Sequence, residues 1–267
     1  MKYAFMSFSC PQLEWSGVLA AAAAYGYAGV EPRIGAGQRH GVETAASADQ
    51  RRQIKRMAED SGVAICCVAT GCSFVLPETV ARHIEDAKAA IALAADIGAT
   101  RLRVFGGDLP QGTRHAEAMP LLVDSLAALS SFAAEHGVVV CLETHDSWTD
   151  PEHVADVMRQ VNHPHIAVNW DIAHPVRYHG YTMERAYEML KPWIRHVHFH
   201  DGITDANNKF VFKPIGEGIV DHAAALRQLK RGGYDGFLSG EWINFDSYDV
   251  HLPREIAAVK RLEEAAS

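Results

Sequence analysis

Residues 134–145 read Ala134-Glu135-His136-Gly137-Val138-Val139-Val140-Cys141-Leu142-Glu143-Thr144-His145. An Ala- and Leu-rich helical stretch, Leu121 to Ala134, runs up to a glycine and passes directly into a β-branched run. Glycine is the residue expected just past a helix end, where the backbone turns left-handed. The phrase of helix, glycine and strand recurs in Asp60-Ser61-Gly62-Val63 and in Ile97-Gly98-Ala99, and Gly233 precedes the last apolar run. Eight strand candidates follow: Tyr3–Ser9, Gly29–Ile34, Ala64–Thr70, Arg101–Phe105, Val138–His145, Ile166–Asp171, His196–His200 and Phe237–Trp242. Helical segments lie between them, Ala87 to Ala95 being another clear one. Repeated βα units favour a parallel sheet, and eight of them favour closure into a (β/α)₈ barrel.

The length agrees. A barrel of this kind occupies about 250 residues as one domain, and the chain has 267 with no linker-like shift in composition. We therefore expect one domain over residues 1–267. An open doubly wound sheet would carry a glycine-rich phosphate loop after its first strand, but Ser9-Cys10-Pro11-Gln12 contains no glycine.

Composition bounds the function. The chain is 48% hydrophobic and 22% charged, with a net charge of −8 and no basic cluster. This argues against nucleic acid as a partner, which demands a basic footprint, but not against a small anionic substrate. Five cysteines, two of them adjacent (Cys66 and Cys67), suit reduced, buried thiols rather than a disulfide framework. The start runs directly into a strand-like segment, and the apolar run Val18 to Ala24 is too short to span a bilayer. A cytoplasmic protein with no membrane partner is expected.

In a βα barrel the chemistry sits at the C-terminal ends of the strands, on inward side chains. Side chains alternate faces with period two, so Cys141, Glu143 and His145 share a face. Asn169 and Asp171 do the same in the sixth strand, with His174 just beyond; His196, His198 and His200 alternate in the seventh; Glu241 comes late in the eighth. Four consecutive strands thus bring a carboxylate or an imidazole to one end. Such groups are costly to bury unless paired or bound to a metal. Three carboxylates and one imidazole suit Mn²⁺, Mg²⁺ or Co²⁺ better than a structural zinc. Parity alone does not separate His198 from His196 or His200. Asp171 could instead cap a following helix, but Pro175 comes so soon that the segment reads as loop.

These residues resemble the xylose isomerase-like barrel superfamily, which includes sugar isomerases, sugar epimerases and endonuclease IV. The resemblance is carried by Leu142-Glu143-Thr144-His145, Asp171-Ile172-Ala173-His174, His196-Val197-His198-Phe199-His200-Asp201, Gly216-Glu217-Gly218 and Gly240-Glu241-Trp242. It implies that Glu143, Asp171, His198 and Glu241 bind one divalent ion, and that Glu143 and Glu241 also shuttle the proton. It identifies His174 with the substrate-binding histidine after the metal-binding aspartate. His200 occupies a position where many relatives carry Lys. The trinuclear endonuclease site needs further histidines after strands three and four and an Asp-x-His pair after strand seven. Thr70-Gly71-Cys72-Ser73, Phe105-Gly106-Gly107-Asp108 and Gly202-Ile203-Thr204-Asp205-Ala206-Asn207 supply none of these, which argues against DNA repair. Relatives often form dimers or tetramers, so a homo-oligomer is compatible with the resemblance.

The expected activity is metal-dependent isomerisation or epimerisation of a sugar or sugar phosphate. A proton next to a carbonyl is removed by one carboxylate and returned by the same or an opposite one, while a divalent ion stabilises the enediolate. Arg33, Arg103, His145, His200 and Lys213, the last in the long loop after strand seven, are candidates for orienting the substrate beside His174. Arg33 and Arg103 could equally be ion-pair partners of buried carboxylates. Trp15, Trp148 and Trp242 are either stacking surfaces or core. The rival is a lyase of the inosose or 3-dehydroshikimate dehydratase type, for which His145, His174 and His200 would supply a leaving-group acid. A non-catalytic ligand-binding barrel would suit a chain that had lost a glutamate ligand, but both are present.

Overall fold

The computed structural model describes residues 1–206 and 209–265; Asn207, which ends the loop stretch quoted above, lies outside them. Strands and helices alternate in the order β1 (Lys2–Met6), α1 (Trp15–Tyr25), β2 (Gly29–Glu31), α2 (Ala48–Ser61), β3 (Ala64–Ile65), β4 (Val68–Ala69), α3 (Pro77–Ile97) and β5 (Arg101–Val104). They continue with α4 (His115–Glu135), β6 (Val139–Glu143), α5 (Pro151–Val161), β7 (Ile166–Asp171), α6 (Ala173–His179) and α7 (Met183–Leu190). The last are β8 (Ile194–Phe199), β9 (Asp201–Thr204), β10 (Phe210–Lys213), α8 (His222–Arg231), β11 (Phe237–Gly240) and α9 (Tyr248–Ala265).

The strands pair in the order β3-β2-β1-β11-β8-β7-β6-β5-β4, every pairing in this sheet parallel. The expected third strand is broken at Cys66-Cys67: β3 bonds to β2, and β4 bonds to β5. Closure is completed where the chain beyond β2 reaches β4. The Ile34 N–H donates to the Ala69 carbonyl at 2.9 Å and the Ala69 N–H to that of Pro32 at 3.0 Å. The sequence reading of a (β/α)₈ barrel therefore holds, with one strand in two pieces.

Parity sorts the side chains. Leu102 and Val104, Val140 and Leu142, Val168 and Trp170, and Val197 and Phe199 belong to one large apolar core shared with the helices. The intervening Arg103, Cys141, Glu143, Asn169, Asp171, His196 and His198 are buried as well. On the alternation of strands they face the barrel interior. Gly62, Gly98, Gly137 and Gly233 all have positive φ, between 65° and 85°, as the helix–glycine–strand phrase required. All five cysteines are free and buried.

One expectation changes, and one choice left open is resolved. The segment after strand seven is not simply a loop: β9 and β10 form an antiparallel hairpin in which Lys213 pairs with Asp201. And Trp15, Trp148 and Trp242 are core residues, 5%, 0% and 0% exposed, with no face open for stacking on a ligand.

Asp201 organises the rest of that loop. Its carboxylate accepts N–H bonds from Gly202 at 2.9 Å, Gly216 at 2.9 Å, Gly218 at 3.0 Å and Val220 at 3.2 Å. A Cβ at Gly218 would collide with Asp201 Oδ1, so this glycine makes the close approach feasible. An amide offers a single acceptor oxygen, and each buried donor left without a partner costs about 1–3 kcal/mol. Asp201→Asn should therefore lower stability by about 2 kcal/mol or more, read as a shift of the urea midpoint at unchanged slope.

Candidate metal and proton-transfer site

The late positions of β6, β7 and β8, together with the residue after β11, converge. Donor atoms of Glu143, Asp171, His198 and Glu241 all lie within 4.8 Å of one another. His198 is the hub: Nδ1 is 2.8 Å from Glu143 Oε1 and 3.2 Å from Glu241 Oε2. Its other nitrogen, Nε2, faces Glu31 at 3.1 and 3.2 Å. The same Glu31 carboxylate takes Nε2 of His196 at 2.8 Å.

Geometry thus separates the three histidines that parity could not. His196 turns away to Glu31, His198 presents Nδ1 to the two glutamates, and Nε2 of His200 meets Asp171 Oδ2 at 3.1 Å. Glu31 is completely buried and holds the far nitrogen of His198. A carboxylate that holds the far nitrogen of an imidazole fixes which ring nitrogen can bind a metal.

Asp171 divides its oxygens. Oδ1 accepts from the Ala173 N–H at 2.8 Å and the His174 N–H at 3.3 Å, capping α6, while Oδ2 faces His200. The loop expected after Asp171 is a helix because Pro175 falls in its first turn, where a missing N–H costs nothing. Thr144 locks the two strand ends together. Its hydroxyl donates to the Asp171 carbonyl at 3.1 Å and accepts from the Asp171 N–H at 2.9 Å. Its own carbonyl accepts from Nδ1 of His174 at 2.8 Å.

Electrostatics favour the ionised forms of Glu31, Asp171 and Glu241. Burial alone would raise the Glu31 carboxyl, but the adjacent His198 and His196 hold it well below the ordinary carboxylate range. Burial would likewise raise Glu241, yet its hydrogen bond to His198 and the charges of His198 and Arg103 bring it down to about 2. Asp171 is lowered against its burial by His174 and His200. His198 is raised well above the usual histidine value: Glu31 and Glu143 outweigh the desolvation that would lower it.

The donor set fits a divalent ion. Glu143 Oε2 is buried with no hydrogen bond, although Arg103 Nε stands 3.2 Å away out of alignment. Three carboxylates around one imidazole supply the mostly oxygen shell that Mg²⁺, Mn²⁺ or Co²⁺ prefers.

A family model described as xylose isomerase-like TIM barrel matches residues 19–264. The chain belongs to the xylose isomerase-like TIM barrel family. No curated protein matches its sequence. Among solved structures, the probable 3-DHS dehydratase AsbF of Bacillus anthracis is similar at 20% identity and TM-score 0.81, over 97% of this chain and 99% of that one. A D-allulose 3-epimerase from Methylomonas sp., in complex with D-allulose, is similar at 17% identity and TM-score 0.76, over 98% and 96%. A xylose isomerase-like TIM barrel protein from Mycobacterium smegmatis, in complex with magnesium, is similar at 19% identity and TM-score 0.74, over 95% and 89%. At these identities the likeness is one of fold.

The remaining candidates fall at different places on this xylose isomerase-like barrel. Arg103 is completely buried and bonds to the Thr70 carbonyl at 2.7 Å beside Glu143, so its guanidinium is spent within the wall as an ion-pair partner. Arg33 lines a cleft of about 260 Å³ with Thr70, Gly71 and His83; burial and the nearby charge of Arg103 push it down to about 10. The rings of His145 and His174 lie 4.7 Å apart, and those of His174 and His200 5.7 Å apart. Lys213 stands on the hairpin, outside the barrel wall. Residues that sequence reasoning missed are Thr144, as the clamp, and Phe210 and Phe212, whose rings lie 5.3 and 5.4 Å from that of His200. Glu31 has the parity of Arg33 at the end of the second strand, a signal that points inward but does not name its partners His196 and His198.

Two predictions follow from the charges. Both nitrogens of His198 face carboxylates, and its value is held well above the usual one, so binding an ion at Nδ1 should release a proton. Calorimetric titration with Mn²⁺ in buffers of different ionisation enthalpy should show release of about one proton at pH 7, and Glu31→Gln should weaken binding by roughly 10–100-fold. His145 is raised from 6.5 to about 9: burial would lower it, but the hydrogen bond from Nδ1 to Asp146 and the charge of Glu143 prevail. A raised imidazole stabilises the fold fully below its unfolded value and loses that contribution as pH rises through the folded one. Asp146→Asn suits the positive φ of 51° at this position. Metal-free wild type should exceed this variant in stability most at pH 6, and the gap should close above pH 9.

Proposed function

We propose that this protein is a divalent-metal-dependent isomerase or epimerase of a sugar or sugar phosphate, with Glu143 and Glu241 as its proton-transfer pair. The observation that carries the reading is the convergence of Glu143, Asp171, His198 and Glu241 at the mouth of the barrel. Those four residues would hold the ion, which supplies Lewis-acid stabilisation to oxygens of the substrate that gain charge.

The two glutamates come from β6 and from the end of β11, and both approach the Nδ1 edge of His198. Glu241, lowered to about 2, is ionised and ready to take a proton. Glu143, backed by Arg103, can return a proton, once it has taken one up from solvent, to the other face of the same carbon. Using the same residue twice, with the proton returned to the neighbouring carbon of the enediolate, would give isomerisation, and using both on one carbon would give inversion. His174 is held by the Thr144 carbonyl through Nδ1, which leaves Nε2 to receive a substrate hydroxyl. Arg33 and Thr70 in the adjoining cleft are placed to orient the far end of the substrate. The D-allulose complex of the Methylomonas epimerase supports a small carbohydrate as the ligand class.

A second reading has its own observation. His145, beside Glu143 in sequence, is held protonated by Asp146, with a value pushed up to about 9, so it could protonate a departing hydroxyl. The protein would then be a dehydratase using the same proton abstraction, and the fold likeness to the probable 3-DHS dehydratase keeps this in view.

One experiment decides between them. Ketoses, ketose phosphates and cyclic polyol ketones are incubated with the Mn²⁺-loaded protein in deuterated water. Carbon-bound deuterium without loss of water indicates isomerisation or epimerisation; a growing enone absorbance indicates dehydration. Chelation of the metal should abolish either. Glu143→Gln and Glu241→Gln should each lower kcat by roughly 10²–10⁴-fold; full activity in both variants would overturn the proton-transfer assignment.

A further inference from the structure

We propose that a cavity at the N-terminal end of the barrel binds a phosphate group through Arg101, Lys191, Arg195 and the hydroxyl of Tyr187. Arg101 opens β5, Arg195 lies at the start of β8, and the turn over residues 232–236 leads into β11. Strand starts therefore surround this cavity, whereas Glu143, Asp171, His198 and Glu241 sit at strand ends. The site does not depend on what those four residues bind.

The charges there are left open. Arg101 crosses the floor of the barrel: its Nε donates to the Arg195 carbonyl at 2.6 Å and its Nη1 to Thr100 Oγ1 at 2.9 Å. Two strands, β6 and β7, separate β5 from β8 in the sheet, so this guanidinium spans a gap that the ladder does not fill. Nη1 of Arg195 donates to the Ile194 carbonyl at 2.8 Å. Backbone and hydroxyl oxygens thus aim both guanidiniums, and among the described residues neither forms an ion pair with a carboxylate. Lys191 adds a third cation, shared with Glu188 at 2.8 Å, and Asp235 is the single acid in the lining. Acids outnumber Lys and Arg in the chain by 33 to 25, so two arginines meeting without a carboxylate do not reflect a shortage of partners.

A neutral donor completes the set. Tyr187 is 7% exposed, and its hydroxyl lies against Gly232, where an added Cβ would collide with it. Gly232 has a φ of −79°, which any residue adopts, so glycine is needed there for space and not for conformation. Among the described residues that hydroxyl has no hydrogen-bond partner, and the cavity is where it opens. Guanidinium forks match the oxygens of a phosphate, and an ammonium adds a point charge. The volume is about 210 Å³, below the roughly 300–1,000 Å³ of sites for drug-sized ligands, which suits a free phosphate or the phosphate end of a small metabolite. A ligand at this end cannot touch atoms reacting at the other. It acts by tying β5, β8 and the turn before β11 together, and so raises stability in proportion to its occupancy.

Calorimetric titration of the full chain with inorganic phosphate, against chloride at equal ionic strength, tests this. Saturable binding with a Kd of about 1 mM or tighter is expected. Arg101→Gln and Arg195→Gln should each weaken it about tenfold or more, and Tyr187→Phe about two- to tenfold. Arg33→Gln, at the other end of the barrel, should leave this binding unaltered. The Arg195 side chain is exposed, so its variant keeps the fold even if Arg101→Gln does not, and near-UV circular dichroism checks both. Phosphate should also raise the Tm of the wild type and fail to raise that of Arg195→Gln. Glycerol phosphate, which has no carbonyl for the metal centre to act on, distinguishes the source. Tighter binding than inorganic phosphate assigns the cavity to a phosphorylated metabolite, and weaker binding assigns it to the free ion. Phosphate binding that Arg101→Gln and Arg195→Gln leave intact would overturn the site, whatever Arg33→Gln does. Absence of saturable heat would overturn it equally.

Discussion

Three carboxylates, Glu143, Asp171 and Glu241, are buried within a few ångströms of one another at one end of the barrel, with a fourth, Glu31, on the far nitrogen of His198, and everything around them answers to that crowding. Carboxylates cannot be enclosed without compensating charge or coordination. The barrel supplies Arg103 behind Glu143, and His196 and His198 on Glu31. It sets His174 and His200 on Asp171 and stops short of neutralising the set. What is left over is an oxygen of Glu143 with no hydrogen bond and an imidazole charged only because carboxylates surround it. A divalent cation relieves both at once, which is why the electrostatics and the donor geometry lead to the same conclusion.

Much of this was legible in the chain, for reasons that differ by residue. Ile166–Asp171 was bounded correctly because its alternation and its apolar outer face are continuous. Glu143, Asp171 and Glu241 could be placed because strand ends in this architecture all point one way. The rest depends on partners distant in sequence. Glu31 and His198 are 167 positions apart, and no local pattern declares that they touch. The β9–β10 hairpin escaped because four-residue strands carry little periodic signal of their own. The third strand read as one run because Ala64–Thr70 is apolar or β-branched throughout; its interruption at Cys66-Cys67 follows from which neighbours it bonds.

Around the opening, rigidity is distributed unevenly. On one side Thr144 clamps two strand ends, Asp171 caps α6, and Arg177 of α6 lies over Phe210 of the hairpin at 4.7 Å. Asp201 then pins the chain after that hairpin through three N–H bonds. On the other side the cleft beside Arg33 is walled by the segments after β2 and β4. Fixed donors on one flank and a cavity on the other are what a site needs to hold reacting atoms still while admitting substrates of varied length.

The interruption at Cys66-Cys67 also bears on solubility. Any sheet drawn flat has two outer strands, and exposed outer strands are templates for intermolecular pairing. Here those two are β3 and β4, the termini of the nine-strand order, and they are consecutive pieces of one segment separated by two buried residues. Neither can drift from the other, and the Arg33–Ala69 bridge covers the gap. Among the described residues the nine-strand sheet thus closes on itself, and chain continuity across Cys66-Cys67 keeps its two outer strands from being parted.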